Sequence, residues 1–289
     1  MPKKIRTSPP CAPAAPCARR EESKMTDETS TGLQVYVKDH VGWIVLDRPQ
    51  RKNSFTTEML RTWAEAYRTF EADDDVRAVA VTGNGDAFCA GADLDGLADG
   101  TASPLASRQL MTDHVHPVAR AVEDLNKPLI AGVNGVAVGA GMDMALMCDY
   151  RIAADTVRLS EGYIRVGLVP GDGGCHYLPR IVGRSKALRL LWTGEFVDAD
   201  TALDWGLVDE VHPADALADR LAQFAAQLAA QPPIAIQLIK RAVRAGETAD
   251  LKTSLDLIAS HQAVVQSTAD STEAMAAFRE KRTPHFEGK

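Results

Sequence analysis

The alternation of apolar and polar residues divides this chain into a mixed first half and a helical last third. Residues 33–38 and 41–47 are apolar runs on either side of Asp39-His40, which predicts a β-hairpin. Over residues 56–71, Met59, Leu60, Trp63, Ala66, Tyr67 and Phe70 recur at helical spacing. Residues 76–82 predict a strand closed by Gly83-Asn-Gly85, and residues 105–125 a helix broken near Pro117. Residues 128–133 predict the next strand, followed by a glycine turn, a short helix to Cys148 and a strand at 150–153. Beyond residue 155 the pattern turns helical, at 188–192, 199–205, 214–230, 234–245, 251–266 and 272–282. Asp270 and Glu273 offer a capping box for the last of these. The direct reading is an α/β core with a helical C-terminal region. The apolar faces Leu217/Leu221/Phe224/Leu228 and Leu251/Leu255/Ile258 fit either the core or a neighbouring subunit.

Composition narrows the class. With 289 residues, 45% hydrophobic and 25% charged, the chain can bury a substantial core as one large domain or two small ones. A net charge of −7 argues against a nucleic-acid surface, and no apolar run is long enough to span a bilayer. Five cysteines without a Cys-x-x-Cys pair read as reduced thiols, and so as a cytoplasmic protein. The start differs from the rest: residues 1–24 are rich in proline and basic residues, and no apolar stretch follows them as in a secretory signal. Met25 resembles a second start. Residues 1–30 are therefore expected to be a disordered extension.

Two glycine-rich stretches carry the candidate chemistry, Phe88-Cys-Ala-Gly-Ala-Asp-Leu94 and Asn134-Gly-Val-Ala-Val-Gly-Ala-Gly-Met-Asp143. Each follows an apolar run and leads toward a helix, so each aims unpaired backbone N–H groups at a point. Two together suggest a two-donor hole for a developing oxyanion. The alternative for each is a tight turn that needs positive φ.

With these stretches in place, the chain resembles the crotonase (enoyl-CoA hydratase/isomerase) superfamily over roughly residues 33–286. The resemblance includes Leu46-Asp-Arg-Pro49 with Asn53-Ser54, both glycine stretches, Lys127-Pro128 and Cys148-Asp149. It continues through Gly167-Leu-Val-Pro-Gly-Asp-Gly-Gly174, Leu178-Pro-Arg180, Gly206-Leu-Val208 and Phe278-Arg-Glu-Lys-Arg282. It implies a spiral of ββα units over residues 31–212 and a helical oligomerisation region over 213–289, assembled as a homotrimer or a dimer of trimers. It also implies acyl-CoA thioester substrates, no metal, and coenzyme A only as part of the substrate. Position by position, the oxyanion donors fall on the N–H groups of Ala92 and Ala140. Coenzyme A contacts fall on Gln50, Arg51, Ala90, Asp93 and Leu94, and Lys281 becomes a candidate for its phosphates.

The acid–base pair departs from the hydratase pattern. The first glutamate maps onto Asp143, which keeps the carboxylate, but the second maps onto Tyr163, a poor general base at neutral pH. Glu161 and Asp172 are candidates to compensate. In an extended segment Glu161 would share a face with Tyr163, although a surface position is the plainer expectation. Related isomerases place an aspartate directly after the Leu-x-Pro element; here Gly171 takes that place and Asp172 follows. Asp172 reads equally as a catalytic acid or as a cap for the next helix.

Other residues carry less. His114-x-His116 lacks a third spaced ligand and reads as solvated loop, His176 could line an acyl pocket, and Cys89 reads as a small buried residue. Gly139-x-Gly141 lacks the rest of a dinucleotide site. Hydration of a 2-enoyl-CoA is the leading expectation, with double-bond isomerisation through Asp143 and Asp172 next. A catalytically degenerate CoA-binding paralogue is the rival of another class.

Overall fold

The computed structural model describes residues 32–93 and 103–289, so Leu94 and the N-terminal extension lie outside the described residues. Strands β1 (Leu33–Lys38) and β2 (Val41–Leu46) form the expected hairpin, with Lys38 paired to Val41. Its two turn residues, Asp39 and His40, adopt φ of 51° and 62°. That is the primed turn whose twist suits two-residue hairpins. Helix α1 (Thr57–Ala72) starts where Thr56 accepts a hydrogen bond from the Met59 amide, and it buries Met59, Leu60, Trp63, Tyr67 and Phe70 on one face.

From here the chain alternates between two sheets. Strand β3 (Ala78–Gly83) joins the first sheet and β4 (Ala87–Cys89) starts the second. Helices α2 (Pro104–Leu110) and α3 (His116–Asp124) follow, joined by a π-turn at Met111–Val115. The turn places Pro117 in the first turn of α3, where a missing N–H costs nothing, so the expected break becomes a re-registered but continuous helical segment. Strands β5 (Leu129–Val133) and β6 (Val136–Val138), helix α4 (Ala140–Leu146), and strands β7 (Tyr150–Ala154) and β8 (Leu159–Ser160) repeat the cycle. Helices α5 (Gly174–Val182), α6 (Arg184–Thr193) and α7 (Ala199–Trp205) then lead to β9 (Glu210–His212). The larger sheet runs β1-β2-β3-β5-β7-β9 and the smaller β4-β6-β8, with every pairing parallel except β1 with β2. Each circuit of strand, strand and helix therefore lays one strand on each sheet, which is a spiral of ββα units.

Strands β4, β6, β8 and β9 and helix α5 are not apparent in the apolar pattern. The four strands are two or three residues long, too short for a period-2 signal. Two amide side chains bind the turns between sheets together. Asn53 donates to the Asn84 and Ala87 carbonyls at 2.9 and 2.8 Å; Asn134 donates to the Gly85 and Ala87 carbonyls and accepts from the Gly83 amide. Asn53 is fully buried, so these bonds are protected from water.

Helix α8 (Leu217–Ala229) packs on β3, β5 and β7, burying Leu217 and Leu221 with Phe224 and Leu228 beside them, so that face belongs to the core. Helix α9 (Pro233–Gly246) is tied down by Lys240 on Asp149 and Arg244 on the carbonyls of Val122, Glu123 and Leu125. Helix α10 (Leu251–Gln266) buries no residue and exposes Leu251, Leu255 and Ile258. The expected capping box is absent. Thr268 caps α11 (Ala269–Glu280), Asp270 accepts from the amides of Glu287 and Gly288, and Glu273 pairs with Arg282. The returning C-terminal tail claims both acids. Among the described residues, no helix is long and apolar enough to cross a membrane.

Candidate active site

The smaller sheet brings the two glycine stretches side by side, because β4 and β6 are neighbours. Their backbones come closer than side chains permit. A Cβ on Gly141 would overlap the Cys89 carbonyl, and one on Gly91 would sit 2.9 Å from the Val138 oxygen and 3.6 Å from the Ala140 nitrogen. Gly91 also has φ of +93° and Gly139 φ of +53°, conformations that favour glycine. A parallel bridge joins Phe55 to Ala92, through Phe55 N–H to the Gly91 carbonyl and Asp93 N–H to the Phe55 carbonyl, both at 2.9 Å. In such a bridge the Ala92 N–H faces away from Phe55. Ala140 is the first residue of α4, whose N–H has no acceptor within the helix. Two backbone donors thus emerge from adjoining turns at strand ends.

A cluster of acids lies beside them. Asp143, in the first turn of α4, is fully buried, and so is Glu161; Asp172 is 6% exposed. The Tyr163 ring lies against Gly139, where an added Cβ would be 3.6 Å away. Its hydroxyl is 2.7 Å from Asp143 Oδ2 and 2.9 Å from Asp172 Oδ2. Glu161 adjoins Asp143, since both acids reach the same small space beside Gly174. Neither Glu161 oxygen has a hydrogen-bond partner among the described residues, and two buried carboxylates this close do not readily ionise together. Gly174 makes room for the pair, since a Cβ there would overlap Asp143 Oδ1 and lie 3.0 Å from Glu161 Oε2.

Burial dominates the electrostatics. It pushes Asp143 up to about 7, with the Asp172 charge adding and the Tyr163 hydroxyl opposing. It pushes Glu161 further, to about 10, helped by the neighbouring Asp143 charge. Asp172 is also raised by burial, against the Tyr163 hydrogen bond and the His116 charge. Burial and the surrounding acids hold the Tyr163 hydroxyl far above its ordinary range, so it stays neutral. Among the carboxyls, the same cause therefore acts most on Glu161, which is held protonated at neutral pH, and less on the two aspartates that meet Tyr163.

Several expectations change here. Glu161 is not on the surface: it follows β8 and precedes a 3-10 turn at Gly162–Val166, which is not extended but still delivers Glu161 and Tyr163 to Asp143. Asp172 caps no helix, because α5 is entered through Gly173 with no side-chain cap. His116 is not solvated loop: it opens α3, and its Nε2 lies 3.1 Å from the Gly171 carbonyl. No spacing in the sequence couples His116 to Asp172; the fold alone joins them. His176 is exposed, away from the buried cluster. Cys89 is buried, and burial pushes its thiol up to about 12, which leaves it inert as a nucleophile.

The remaining candidates form a rim. Arg51 and Arg48 both pair with Asp93, at 3.1 and 3.0 Å, and the Ala90 amide donates to the Lys52 carbonyl. This fastens the Gln50–Arg51 turn to the loop carrying Ala90, Ala92 and Asp93. Lys281 is not brought to this group. It follows α11 and leads into a tail whose Phe286 carbonyl accepts from Arg77 before β3, the end of the sheet opposite Arg51. Among the described residues, no set of three histidine, cysteine or acidic side chains is arranged to hold a metal ion.

Known proteins share this framework. The profile of the enoyl-CoA hydratase/isomerase family matches residues 37–289. The 1,2-epoxyphenylacetyl-CoA isomerase of Escherichia coli (strain K12) is 38% identical over 255 residues, which cover 88% of this chain and 97% of that protein. The 2,3-dehydroadipyl-CoA hydratase of the same organism is 33% identical over 246 residues, covering 85% and 94%. Among solved structures, enoyl-CoA hydratase from Bacillus anthracis superposes with a TM-score of 0.85 at 34% identity, over 89% of this chain and all of that one. A ββα spiral that converges two glycine turns on a nest of acids, together with these likenesses, places the chain in the enoyl-CoA hydratase/isomerase family of the crotonase superfamily.

Proposed function

We propose that this enzyme isomerises an unsaturated acyl-CoA thioester by proton transfer through an enolate, without net addition of water. The Ala92 and Ala140 N–H groups hold the thioester oxygen as negative charge gathers there; one such donor is worth about 2.7–4 kcal/mol. Asp172, whose Oδ1 has no hydrogen-bond partner among the described residues, meets the reacting carbon, and Asp143 lies behind Tyr163. Coenzyme A lies along the rim of Gln50, Arg51, Ala90 and Asp93, and further copies of the chain cover the exposed face of α10 as a trimer.

The observation that carries this reading is the Tyr163 hydroxyl bridging two nearly buried aspartates, where a hydratase of this family has its second glutamate. An unionised tyrosine does not activate water, whereas an aspartate whose carboxyl is raised by burial can both take and return a proton. The isomerase among the relatives supports the same choice. Hydration is the second reading, favoured by the hydratases among them and by the unpartnered Asp172 Oδ1, which can address a water.

The test is to offer a 3-enoyl-CoA and crotonyl-CoA separately and read product masses. A 2-enoyl-CoA of unchanged mass, with little conversion of crotonyl-CoA, is expected. Rapid addition of one water to crotonyl-CoA that is lost in Asp172→Asn would instead establish hydration.

A further inference from the structure

Proton counting around Tyr163 leads beyond the choice of reaction. A phenolic hydroxyl carries one proton, yet this one lies within hydrogen-bond distance of a carboxyl oxygen on either side. Both contacts are satisfied together only when one aspartate is itself protonated and donates into the phenol oxygen, while the phenol donates to the other. In the free enzyme both aspartates are ionised and Tyr163 donates to one of them; the proton taken from the substrate supplies the second, can sit on either side, and a concerted shift of two hydrogens exchanges the two arrangements. Glu161 closes the far end, since it is fully buried beside Asp143 and neither of its oxygens has a hydrogen-bond partner among the described residues. The near end is Asp172, whose Oδ1 has no hydrogen-bond partner among the described residues and is left to meet the substrate.

We propose that Tyr163 is a proton relay through which Asp172 lodges the proton taken from the substrate on Asp143 and then retrieves it for delivery to a second carbon. This rests on the isomerase reading above. For a 3-enoyl thioester, the C2–H bond breaks, its electron pair enters the dienolate and the proton passes to Asp172. Asp172 gives a proton to the Tyr163 oxygen as Tyr163 gives its own to Asp143 Oδ2. The reverse shift restores Asp172, which protonates C4 as the double bond settles between C2 and C3 and the thioester carbonyl re-forms. No redox partner is needed. Tyr163 touches no reacting carbon in this scheme and acts only through the two aspartates.

The surroundings suit a closed store. The charged and titratable groups facing the relay among the described residues are Glu161 just after β8, His116 from α3 beside Asp172, Cys89 from β4, and Cys175 and Tyr177 from α5. The Gly174 amide also favours the charged form of Asp143. Among these, only the two aspartates hydrogen-bond to the Tyr163 hydroxyl.

The experiment follows a label. A 3-enoyl-CoA deuterated at C2 is converted in ordinary water over many turnovers, and deuterium at C4 of the product is read by mass spectrometry and NMR. The wild type should return a substantial fraction of the deuterium to C4. Tyr163→Phe should lose most of that transfer, and so should Asp143→Asn, which keeps the side-chain shape but removes the store. Equal retention in wild type and both variants, or none in the wild type, would overturn the relay while leaving isomerisation intact.

If no 3-enoyl thioester is isomerised, the reaction assignment fails and a turnover-free measurement decides the relay. In ¹³C-carboxyl NMR titrations, Asp143 and Asp172 should share the same two steps in the wild type and separate in Tyr163→Phe. Independent titration in the wild type would refute the relay.

Discussion

The two halves of the candidate site are built from different materials. The half proposed to hold the thioester oxygen is backbone: the Ala92 and Ala140 N–H groups, positioned by glycines at 91, 139 and 141. The acid–base half is side chain: Asp143, Glu161, Tyr163 and Asp172, drawn from α4, the residue after β8, a 3-10 turn and the loop before α5. The backbone half tolerates almost no change, because a methyl group on Gly141 meets a carbonyl that cannot move. The side-chain half is adjustable, since exchanging a glutamate for a tyrosine leaves the fold intact and alters only where protons reside. Chemistry can therefore diverge within one spiral while the handling of the thioester oxygen stays the same.

The sharpest way to separate the halves is Asp172→Asn. It should lower kcat by about 10²–10⁴-fold, the usual worth of a general acid–base group, with no loss of thermal stability. Retention of more than a tenth of wild-type turnover would remove Asp172 from the acid–base half.

Gly141→Ala probes the other half. Overlap with the Cys89 carbonyl should cost about 3 kcal/mol in urea unfolding, at the upper end for overpacking, and activity should fall along with the fold. An unfolding midpoint equal to that of the wild type would show that β4 and β6 are less tightly apposed than described.

Glu161→Gln tests the buried acid pair through pH. Because Glu161 and Asp143 are raised, the folded state binds more protons than the unfolded state above the ordinary carboxylate range. Wild-type stability should therefore fall as pH rises from 5 to 8. The glutamine variant, which has no proton to lose at this position, should gain about 4 kcal/mol on the wild type over that interval. A parallel pH dependence in the two proteins would place the Glu161 carboxyl in its ordinary range.

The smallest effect falls where the halves touch. Gly174→Ala pushes on Asp143 Oδ1, a side-chain tip able to give way, so stability should change little. Displacing the proton store by a fraction of an ångström should still lower kcat, by about tenfold. Unchanged kcat would show that Asp143 is held elsewhere than against α5.

The sequence by itself determined the hairpin, α1, the strands of the larger sheet up to β7, most of the long C-terminal helices and the positions of the two donor turns. Those features are local: they depend on runs of apolar residues, on their periodicity, and on glycines where the backbone must turn or approach closely. Tertiary structure alone decided the smaller sheet, whose strands are too short to leave a pattern and exist because β4, β6 and β8 lie side by side. It also decided that Glu161 is buried and that Asp172 meets Tyr163 rather than capping a helix. The same holds for His116, which faces a loop far along the chain. A residue's type is fixed by its codon, but its protonation depends on which other groups share its dry surroundings, and that is known only once the spiral has closed.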